Sequence, residues 1–432
     1  MDESVALVVS PYVEAWHPRL DDLRLKLATP GDRRDFKAMR ADRDTRTLFD
    51  WLTNTFVAVN RSDQALLGRL RDTPFTLDDL GREDRIAAGR LTQAGVVLAE
   101  AEAYRAHNYD RVPIEINSHC NFRCRFCPVA TDPLATRVMP LDLYGIVLDR
   151  VRGAGIKGIA LNHYGDPSLD KHLVARVGLA KESGLHVDLF TNASGLDRPR
   201  LKALAALGNL SVIVNLPSID PGEFRRITGS KLLGRVLDNL RVAAELGMDV
   251  RVTVNAPAGL SRWQRAMLRR NIRRQTGIKA ALAVVESRAG FMKDQDYAPP
   301  VRHEGRLNGC YRQLTKIVVN VEAKAFMCCQ DYHQEYVLGD LRSSSFDDIA
   351  RSDRAAQIRR WIFGAEDPPD DFICRRCEET RTREQGDNTL SLGGAFRLGE
   401  TLSSVTVRSA LPPLASPNAA RKLEAGTGIE PT

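Results

Sequence analysis

Residues 114–128 read IEINSHCNFRCRFCP and are the most informative stretch of this chain. Cys120, Cys124 and Cys127 form a CxxxCxxC pattern directly after the apolar run Val112–Ile116. Clustered thiolates are soft ligands suited to iron–sulfur clusters or to zinc. Because three close cysteines leave one iron of a four-iron cluster without a protein ligand, the pattern predicts an iron that is open to another molecule.

The apolar run before the cysteines is the first of six predicted strands, which alternate with amphipathic helical stretches. The strands are rich in Val, Ile and Leu, as in a parallel sheet covered by helices. They are predicted at Val112–Ile116, Gly158–Asn162, His186–Thr191, Ser211–Leu216, Val250–Asn255 and Ala281–Glu286. Helices are predicted at Leu141–Arg152, Lys171–Ser183, Lys231–Leu246 and Trp263–Gln275. The alternation predicts an α/β fold, a partial (β/α)6 barrel with its functional residues at the C-terminal strand ends.

Charge and hydropathy exclude several classes of protein. The 432 residues carry 62 basic and 55 acidic side chains, and no basic stripe is interleaved with aromatic residues, which argues against a nucleic-acid partner. No run of eighteen apolar residues predicts a membrane span, and the acidic start is too short for a signal peptide. We therefore expect a cytoplasmic protein without membrane association, in which clustered cysteines indicate metal sites rather than disulfides.

Composition divides the chain into four predicted regions. These are an N-terminal α+β cap (1–108), the partial barrel (109–295), a cysteine-bearing extension (305–382) and a disordered tail rich in Ser, Gly, Pro and Ala (386–432). Inside the cap, a strand (56–60), a helix (63–71), a second helical stretch (76–80 with 82–94) and a returning strand (95–98) follow each other in the order of a winged-helix unit. Such a unit can bind a peptide by strand addition, and a cap that only packs on the barrel is the alternative.

The pattern Cys120-x-x-x-Cys124-x-Phe126-Cys127, together with the barrel, resembles the signature of radical S-adenosylmethionine (radical SAM) enzymes. The resemblance implies that the three thiolates hold a [4Fe–4S] cluster whose fourth iron chelates S-adenosyl-L-methionine. Reductive cleavage would then give a 5′-deoxyadenosyl radical that abstracts a hydrogen from the substrate. A structural zinc site is the alternative, but such sites usually pair CxxC with a second, distant pair.

The resemblance also implies contacts to S-adenosylmethionine at the strand ends. The segment Tyr164–Pro167 resembles the GGEP-type motif of the family, with Tyr164 in place of the first glycine and Asp166 in place of the glutamate. The implied cofactor-binding residues are Phe126, Gly165, Asp166, Asn192, Asn215, Ser218 and Asn255. Each of the polar ones, taken alone, is also an ordinary turn or capping residue. No catalytic residue is predicted.

The other cysteines, Cys310, Cys328, Cys329, Cys374 and Cys377, lie late in the chain, in an order that resembles the SPASM or twitch extension of many radical SAM enzymes. This resemblance implies a second, auxiliary [4Fe–4S] cluster with four cysteine ligands. Cys310, Cys374 and Cys377 would supply three of them. The hairpin position favours Cys328 as the fourth, with Cys329 as the alternative, and a zinc site with four cysteine ligands competes with the cluster.

The expected activity is radical SAM chemistry in the maturation of a ribosomally made peptide. A radical dehydrogenase that acts on an alcohol of a sugar or cyclitol is one alternative, and a non-catalytic iron–sulfur protein is another. The implied partners are a peptide or small-molecule substrate and a low-potential electron donor such as flavodoxin or ferredoxin.

Overall fold

The computed structural model describes residues 4–15, 24–27, 29–41, 44–71, 73–256, 260–294, 296–298, 300–310, 312–380 and 401–409. The chain forms two compact units, one from residues 1–103 with 398–432 and the other from residues 104–397. Each unit has its own buried apolar core. Within the ranges given above, no helix is both long enough and apolar enough to cross a bilayer.

A nine-stranded sheet forms the centre of the second unit, and six neighbouring strands in it are parallel. They are β7 (Arg111–Ile114), β8 (Gly158–Leu161), β9 (His186–Thr191), β10 (Leu210–Asn215), β11 (Asp249–Ala256) and β12 (Ala280–Val284). These strands correspond to the six predicted from sequence, and the predicted α/β class with a mostly parallel sheet is confirmed.

Helices cover this sheet and bury their Leu, Val and Ile side chains against it. They are α5 (Leu141–Gly153), α6 (Leu173–Glu182), α7 (Arg198–Leu207), α8 (Pro221–Thr228), α9 (Leu233–Glu245) and α10 (Arg262–Thr276). Two of them, α7 and α8, are absent from the sequence prediction. Both begin at an Asp–(Arg)–Pro signal: the Asp197 carboxylate accepts the Arg200 amide at 3.0 Å, and that of Asp220 accepts the Glu223 amide at 2.7 Å.

Three short strands extend the sheet beyond β7 and carry the late part of the second unit. They are β13 (Val318–Val319), β14 (Lys324–Phe326) and β15 (Val337–Asp340). β13 pairs in parallel with β7, where Val319 lies opposite Ile114, and the other two continue antiparallel. Helices α11 (Arg312–Thr315), α12 (Phe346–Ala350) and α13 (Asp353–Ile362) accompany them. The cysteine-bearing extension is therefore continuous with the parallel sheet, on the side of its first strand.

The first unit contains a small two-stranded sheet and a five-stranded sheet. In the small sheet β1 (Leu7–Val9) pairs antiparallel with β6 (Val97–Ala99), and helices α2 (Arg61–Leu70) and α3 (Arg82–Gln93) share its apolar core. The remaining elements are β2 (Val13–Ala15), β3 (Arg24–Leu27), α1 (Pro30–Ala41), β4 (Arg46–Asp50), β5 (Thr55–Val59), α4 (Glu100–Ala103) and β16 (Thr401–Ser409).

Two features of this unit differ from the sequence prediction. The strand predicted at 56–60 belongs to the five-stranded sheet, whereas the one predicted at 95–98 pairs with β1. Part of the predicted disordered tail, Thr401–Ser409, forms β16 between β5 and β3. Thr and Val favour extended structure, and the Ser-, Gly- and Pro-rich flanks obscure this short run in the sequence. Residues 386–400 and 410–432 of the predicted tail lie outside the described residues.

Candidate functional site

The CxxxCxxC loop leaves the sheet at the C-terminal end of β7, where parallel α/β folds place their sites. Backbone hydrogen bonds fix this loop to the end of α8. The Arg123 amide donates to the Thr228 carbonyl at 2.8 Å, and the Arg125 amide donates to the Ile227 carbonyl at 2.9 Å. The three sulfurs therefore come from one short loop whose backbone is held in place before any ligand binds.

The donor set of this loop fits an iron–sulfur cluster. Burial raises the pKa of Cys120 to about 12, and the nearby Asp166 carboxylate adds to the shift. Burial and the neighbouring cysteines raise the pKa of Cys124 well above its usual value, and burial also raises that of Cys127. Neighbouring thiols of this kind ionise only when a cationic group compensates their charges, as the iron of a [4Fe–4S] cluster does.

Phe126 borders the cysteine loop on one side. Its ring is 7% exposed and belongs to an apolar cluster that packs against Cys124 and Cys127. The ring meets that of Tyr297 edge-on, with 5.6 Å between the centroids. The side chain of Phe126 therefore belongs to the core. If Phe126 contacts S-adenosylmethionine as predicted, its backbone would make that contact.

Gly165 lies where two loops approach too closely for a side chain. A Cβ atom there would overlap the carbonyl oxygen and the side-chain oxygen of Asn117. The Asn117 side-chain amide donates to the Asp166 carbonyl at 3.0 Å, and the Asp166 amide donates to the His119 carbonyl at 2.8 Å. These contacts hold the segment after β8 against the residues that lead into Cys120.

Replacing Gly165 by alanine should destabilise the second unit by about 1–3 kcal/mol, the usual cost of forcing an extra carbon into a packed site. The measurement is the urea concentration at the midpoint of unfolding, monitored with a spectroscopic probe located in the second unit. Gly178→Ala is the matched control, since a Cβ at this position in α6 has no neighbour closer than 4.0 Å. Equal midpoints for the two variants would contradict the close approach at Gly165.

The Asp166 carboxylate connects the segments at the ends of two strands, β8 and β9. Its Oδ1 accepts the Ser168 amide at 2.8 Å, the Ser168 hydroxyl at 2.6 Å and the Thr191 hydroxyl at 2.8 Å. Its Oδ2 accepts the Asn192 amide at 2.6 Å. Oδ1 thus accepts three donors and Oδ2 only one, so Oδ2 is the oxygen with capacity for a further donor. The predicted interaction of Asp166 with the cofactor amino group therefore depends on Oδ2.

The other predicted cofactor contacts follow strands β9 to β11. The Asn192 side-chain amide donates to Asn121, inside the cysteine loop, at 2.9 Å. Asn215 ends β10, and its side-chain oxygen is buried without a hydrogen-bond partner in the described part of the chain. Ser218 is buried just beyond it, and Asn255 lies near the end of β11. Since an unpaired buried polar atom is costly, a donor from a bound cofactor would satisfy Asn215.

The late cysteines come from three segments of the second unit. Cys310, Cys328, Cys374 and Cys377 are buried, whereas Cys329 is half-buried. Burial raises the pKa of both Cys374 and Cys377, and the neighbouring Cys310 raises each of them further. Cys310, Cys374 and Cys377 therefore lie together, as four-cysteine ligation of a second cluster requires.

Cys328 and Cys329 have different neighbours. The Cys328 thiol donates a hydrogen bond to Cys329, and this bond, together with burial and the nearby Cys310, raises the pKa of Cys328. The Cys329 sulfur also accepts a bond from the Arg312 guanidinium at 3.5 Å. The bond from Cys328 and the charge of Arg312 hold the pKa of Cys329 well below its usual value, against the effect of burial. The Arg312 guanidinium is thus bonded to Cys329, and Cys328 is the more deeply buried of the two residues.

A mononuclear metal site is not preformed in the described part of the chain. There, no group of three or more His, Cys, Asp or Glu side chains is arranged to hold a single metal ion. The cysteines of both groups are free thiols. The thiolates that bind a cubane cluster are farther apart than those that bind a single zinc ion. The two groups of cysteines can therefore bind clusters without being arranged round a single ion.

A charged cluster after β12 was not predicted from sequence. Glu286 is buried and accepts hydrogen bonds from Arg312 and Gln330. Arg288 lies 3.4 Å from the second oxygen of this carboxylate. In the sequence, the one sign of this cluster is that Glu286 and Arg288 come at the C-terminal end of a predicted strand. Charged residues in that position are ordinarily solvated. Only the folded chain shows that Arg312 and Gln330 lie next to Glu286.

Two family models match the chain. The model of the radical SAM superfamily matches residues 114–263, from the end of β7 past the cysteine triad and on to the start of α10. The model of an iron–sulfur cluster-binding domain, SPASM, matches residues 310–378. The second match begins at Cys310 and includes every late cysteine.

Two relatives illustrate the range of similar proteins. The S-adenosyl-L-methionine-dependent 2-deoxy-scyllo-inosamine dehydrogenase of Niallia circulans is 23% identical over 65% of this chain and 98% of its own length. The PqqA peptide cyclase of Ruegeria pomeroyi is 30% identical over 33% of this chain and 39% of its own. The chain spans half or less of the length of other curated relatives, among them a GTP 3′,8-cyclase of Rhizobium leguminosarum.

Among solved structures, SuiB of Streptococcus suis bound to the precursor peptide SuiA superposes with a TM-score of 0.51 at 11% identity. The match covers 86% of this chain and 93% of SuiB. This share exceeds what the second unit and all later residues can supply, so the similarity of fold extends into the first unit.

The family matches coincide with the two cysteine groups and with the parallel sheet that positions them. The radical SAM match, to a family that binds S-adenosylmethionine at a [4Fe–4S] cluster, includes the triad loop, and the match to the iron–sulfur cluster-binding domain includes the late cysteines. Residues 114–263 therefore form a radical SAM domain and residues 310–378 a SPASM iron–sulfur domain, and the protein is an enzyme.

Proposed function

We propose that this enzyme modifies a ribosomally made peptide, which it holds by strand addition to the first unit. The observation that carries this proposal is the open edge of β6, on a sheet that the radical chemistry itself does not need. The likeness of fold to SuiB, whose structure contains a precursor peptide, extends into the same unit. The PqqA peptide cyclase is also a relative in sequence.

The edge of β6 offers backbone groups to an extended peptide. The Ser10 amide donates to the Val96 carbonyl at 2.8 Å and the Glu100 amide to the Ala6 carbonyl at 2.9 Å, so the intervening Leu98 also faces β1. Alternation along an antiparallel pair then directs the backbone groups of Val97 and the amide of Ala99 away from β1, while the Ala99 carbonyl belongs to the first turn of α4. No further strand pairs with β6 among the described residues. An added peptide strand would meet this edge.

The residues of the second unit take the following roles in the proposal. Cys120, Cys124 and Cys127 hold the first cluster, which, once loaded and reduced, supplies the electron that cleaves S-adenosylmethionine. A low-potential protein such as flavodoxin or ferredoxin provides that electron. Asp166 Oδ2 accepts the ammonium group of the cofactor, and Asn215 receives a donor from it. Together these contacts orient the cofactor along the strand ends before the hydrogen abstraction.

For the auxiliary cluster we propose Cys310, Cys328, Cys374 and Cys377 as the four ligands. Cys328 supports this choice by its burial and its proximity to Cys310. A cluster with four protein ligands has no open iron, and it therefore transfers electrons rather than binding the substrate.

A dehydrogenase acting on a cyclitol alcohol is the second candidate. It is favoured by the relative from Niallia circulans, because this chain spans 98% of that protein. That match covers only 65% of this chain. Dehydrogenation of a cyclitol does not require a peptide-binding unit, so the first unit would have no function in this reaction. Peptide binding is therefore the property that distinguishes the two candidates.

Peptide binding should weaken at least about tenfold in Ala99→Pro, because proline removes one edge amide and its ring obstructs the added strand. The probes are synthetic peptides translated from the short reading frames that flank the gene, labelled for fluorescence anisotropy. Ala99→Ser keeps the amide and should bind like the unchanged protein. Failure of every such peptide to bind the unchanged protein, combined with oxidation of a cyclitol, would favour the dehydrogenase.

A further inference from the structure

A rigid turn follows β12 and carries Arg288. The hydroxyl of Ser287 donates to the Glu378 carboxylate at 2.6 Å, and the Ser287 amide donates to the same carboxylate. Arg288 and Ala289 both have left-handed backbones, with φ of 55° and 52°. Such backbones persist in residues other than glycine only where the surroundings impose them, and they concentrate at functional sites. Since Glu378 directly follows Cys377, the turn is fixed to the last cysteine segment.

Arg288 differs from its neighbour Arg312 in its hydrogen bonds. The Arg312 side chain is 12% exposed; it donates to Glu286, lies 3.6 Å from Glu379 and reaches the Cys329 sulfur. Arg288 is 31% exposed, and the one polar contact the described residues give it is to Glu286 Oε2 at 3.4 Å. That oxygen already accepts the Gln330 amide. Most of the five N–H donors of Arg288 are therefore available.

Arg288 lies between the two cysteine groups. On one side, Val285 and Met292, which flank the turn, belong to the apolar cluster that packs against Cys124 and Cys127. On the other side, Arg288 contacts Glu286, which is bonded to the Arg312 guanidinium that reaches the Cys329 sulfur. The turn that carries Arg288 is therefore close to the cysteine triad and to the late cysteines at once.

The cofactor is not the natural partner of this guanidinium. Its proposed contacts, Asp166 and Asn215, end the strands β8 to β10, and Asn192 links them to the cysteine loop. Arg288 follows β12, at the far edge of the parallel strands, and its turn is fixed to Glu378. A substrate that lies between the two cysteine groups would meet Arg288 directly.

We propose that the Arg288 guanidinium binds a carboxylate of the substrate. The planar fork of arginine matches a carboxylate in a bidentate pair, which is stronger and more directional than a neutral hydrogen bond. This inference rests on the proposed function, because for a peptide the carboxylate is the side chain of an aspartate or glutamate near the reacting residue. Arg288 is thus a specificity-determining residue of the second unit.

The test is equilibrium dialysis of the reconstituted holoenzyme, saturated with S-adenosylmethionine, against radiolabelled N-acetylglutamate and its neutral isostere N-acetylglutamine. The unchanged enzyme should bind N-acetylglutamate about ten- to hundredfold more tightly, since hydrogen bonds to charged groups contribute that much. Arg288→Gln should lose the preference and Arg288→Lys should keep part of it. Arg302→Gln is the matched control, since Arg302 is an exposed arginine paired with Glu304 at 2.9 Å, and it should change nothing.

Three results would overturn the proposal: no preference for N-acetylglutamate in the unchanged enzyme, a preference that survives in Arg288→Gln, or an equal loss in Arg302→Gln. Iron content and affinity for S-adenosylmethionine, measured in each variant, show whether the site is intact. A weakened affinity for S-adenosylmethionine in Arg288→Gln, with no preference in the unchanged enzyme, would assign the guanidinium to the cofactor instead. Peptide binding at β6 is measured separately, so failure here leaves the proposed function intact.

Discussion

Cys328→Ala should lose the auxiliary cluster, and the iron content should fall from about eight to about four per chain, as expected for two four-iron clusters. Cys329→Ala should retain about eight, because its sulfur is bonded to the Arg312 guanidinium and Cys328 is the more deeply buried of the two residues. Iron and sulfide analysis of the anaerobically reconstituted proteins, with Mössbauer spectra, measures both contents.

The adjacent cysteines serve as each other's control, since both variants remove one thiol from the same segment. The reverse pattern, with iron lost from Cys329→Ala and kept by Cys328→Ala, would show that Cys329 is the cluster ligand from this segment. Equal contents of iron in both variants and the unchanged protein would contradict a cysteine ligand from this pair.

Cys124→Ala should abolish cleavage of S-adenosylmethionine, reducing 5′-deoxyadenosine to the level of a protein-free control, and should leave the auxiliary cluster in place. In the proposed arrangement the triad loop supplies every protein ligand of the first cluster, and the backbone of this loop is fixed to α8. Iron should fall to about four per chain, the content of one four-iron cluster. Electron paramagnetic resonance of the reduced protein should show one cluster signal that no longer responds to S-adenosylmethionine.

A matched variant, Cys374→Ala, should show the opposite behaviour and keep the signal that S-adenosylmethionine perturbs. Loss of both clusters in either variant would mean that the two groups do not fold independently. Unchanged iron in both variants would contradict a two-cluster enzyme.

Much of the fold of the second unit was predictable because its strands carry a local pattern. Six short apolar runs separated by helical stretches define a parallel sheet, and β9 has the predicted bounds. Helices α7 and α8 were missed because they are short, and their Asp caps are the clearest local sign of them. β1 and β16 were missed because their pairing joins residues far apart in the chain.

The candidate site likewise has one part that was predictable from the sequence and one part that was not. The proposed cysteine ligands were predictable because their spacing is a local feature of the sequence. The family matches that begin at residue 114 and residue 310 include the same cysteines. The arrangement around Arg288 was not predictable, because it depends on an ion pair between Arg312 and Glu286 and on the hydrogen bonds from Ser287 to Glu378. These contacts join segments 26 and 91 residues apart, and only the folded sheet brings them together.

The most direct test of the central claim is 5′-deoxyadenosine formation by the anaerobically reconstituted enzyme, supplied with S-adenosylmethionine and dithionite and followed by mass spectrometry. We expect production above that of a variant in which Cys120, Cys124 and Cys127 are all alanine. Equal production by the two proteins, or a purified protein that carries zinc and no iron, would contradict radical SAM chemistry at this site.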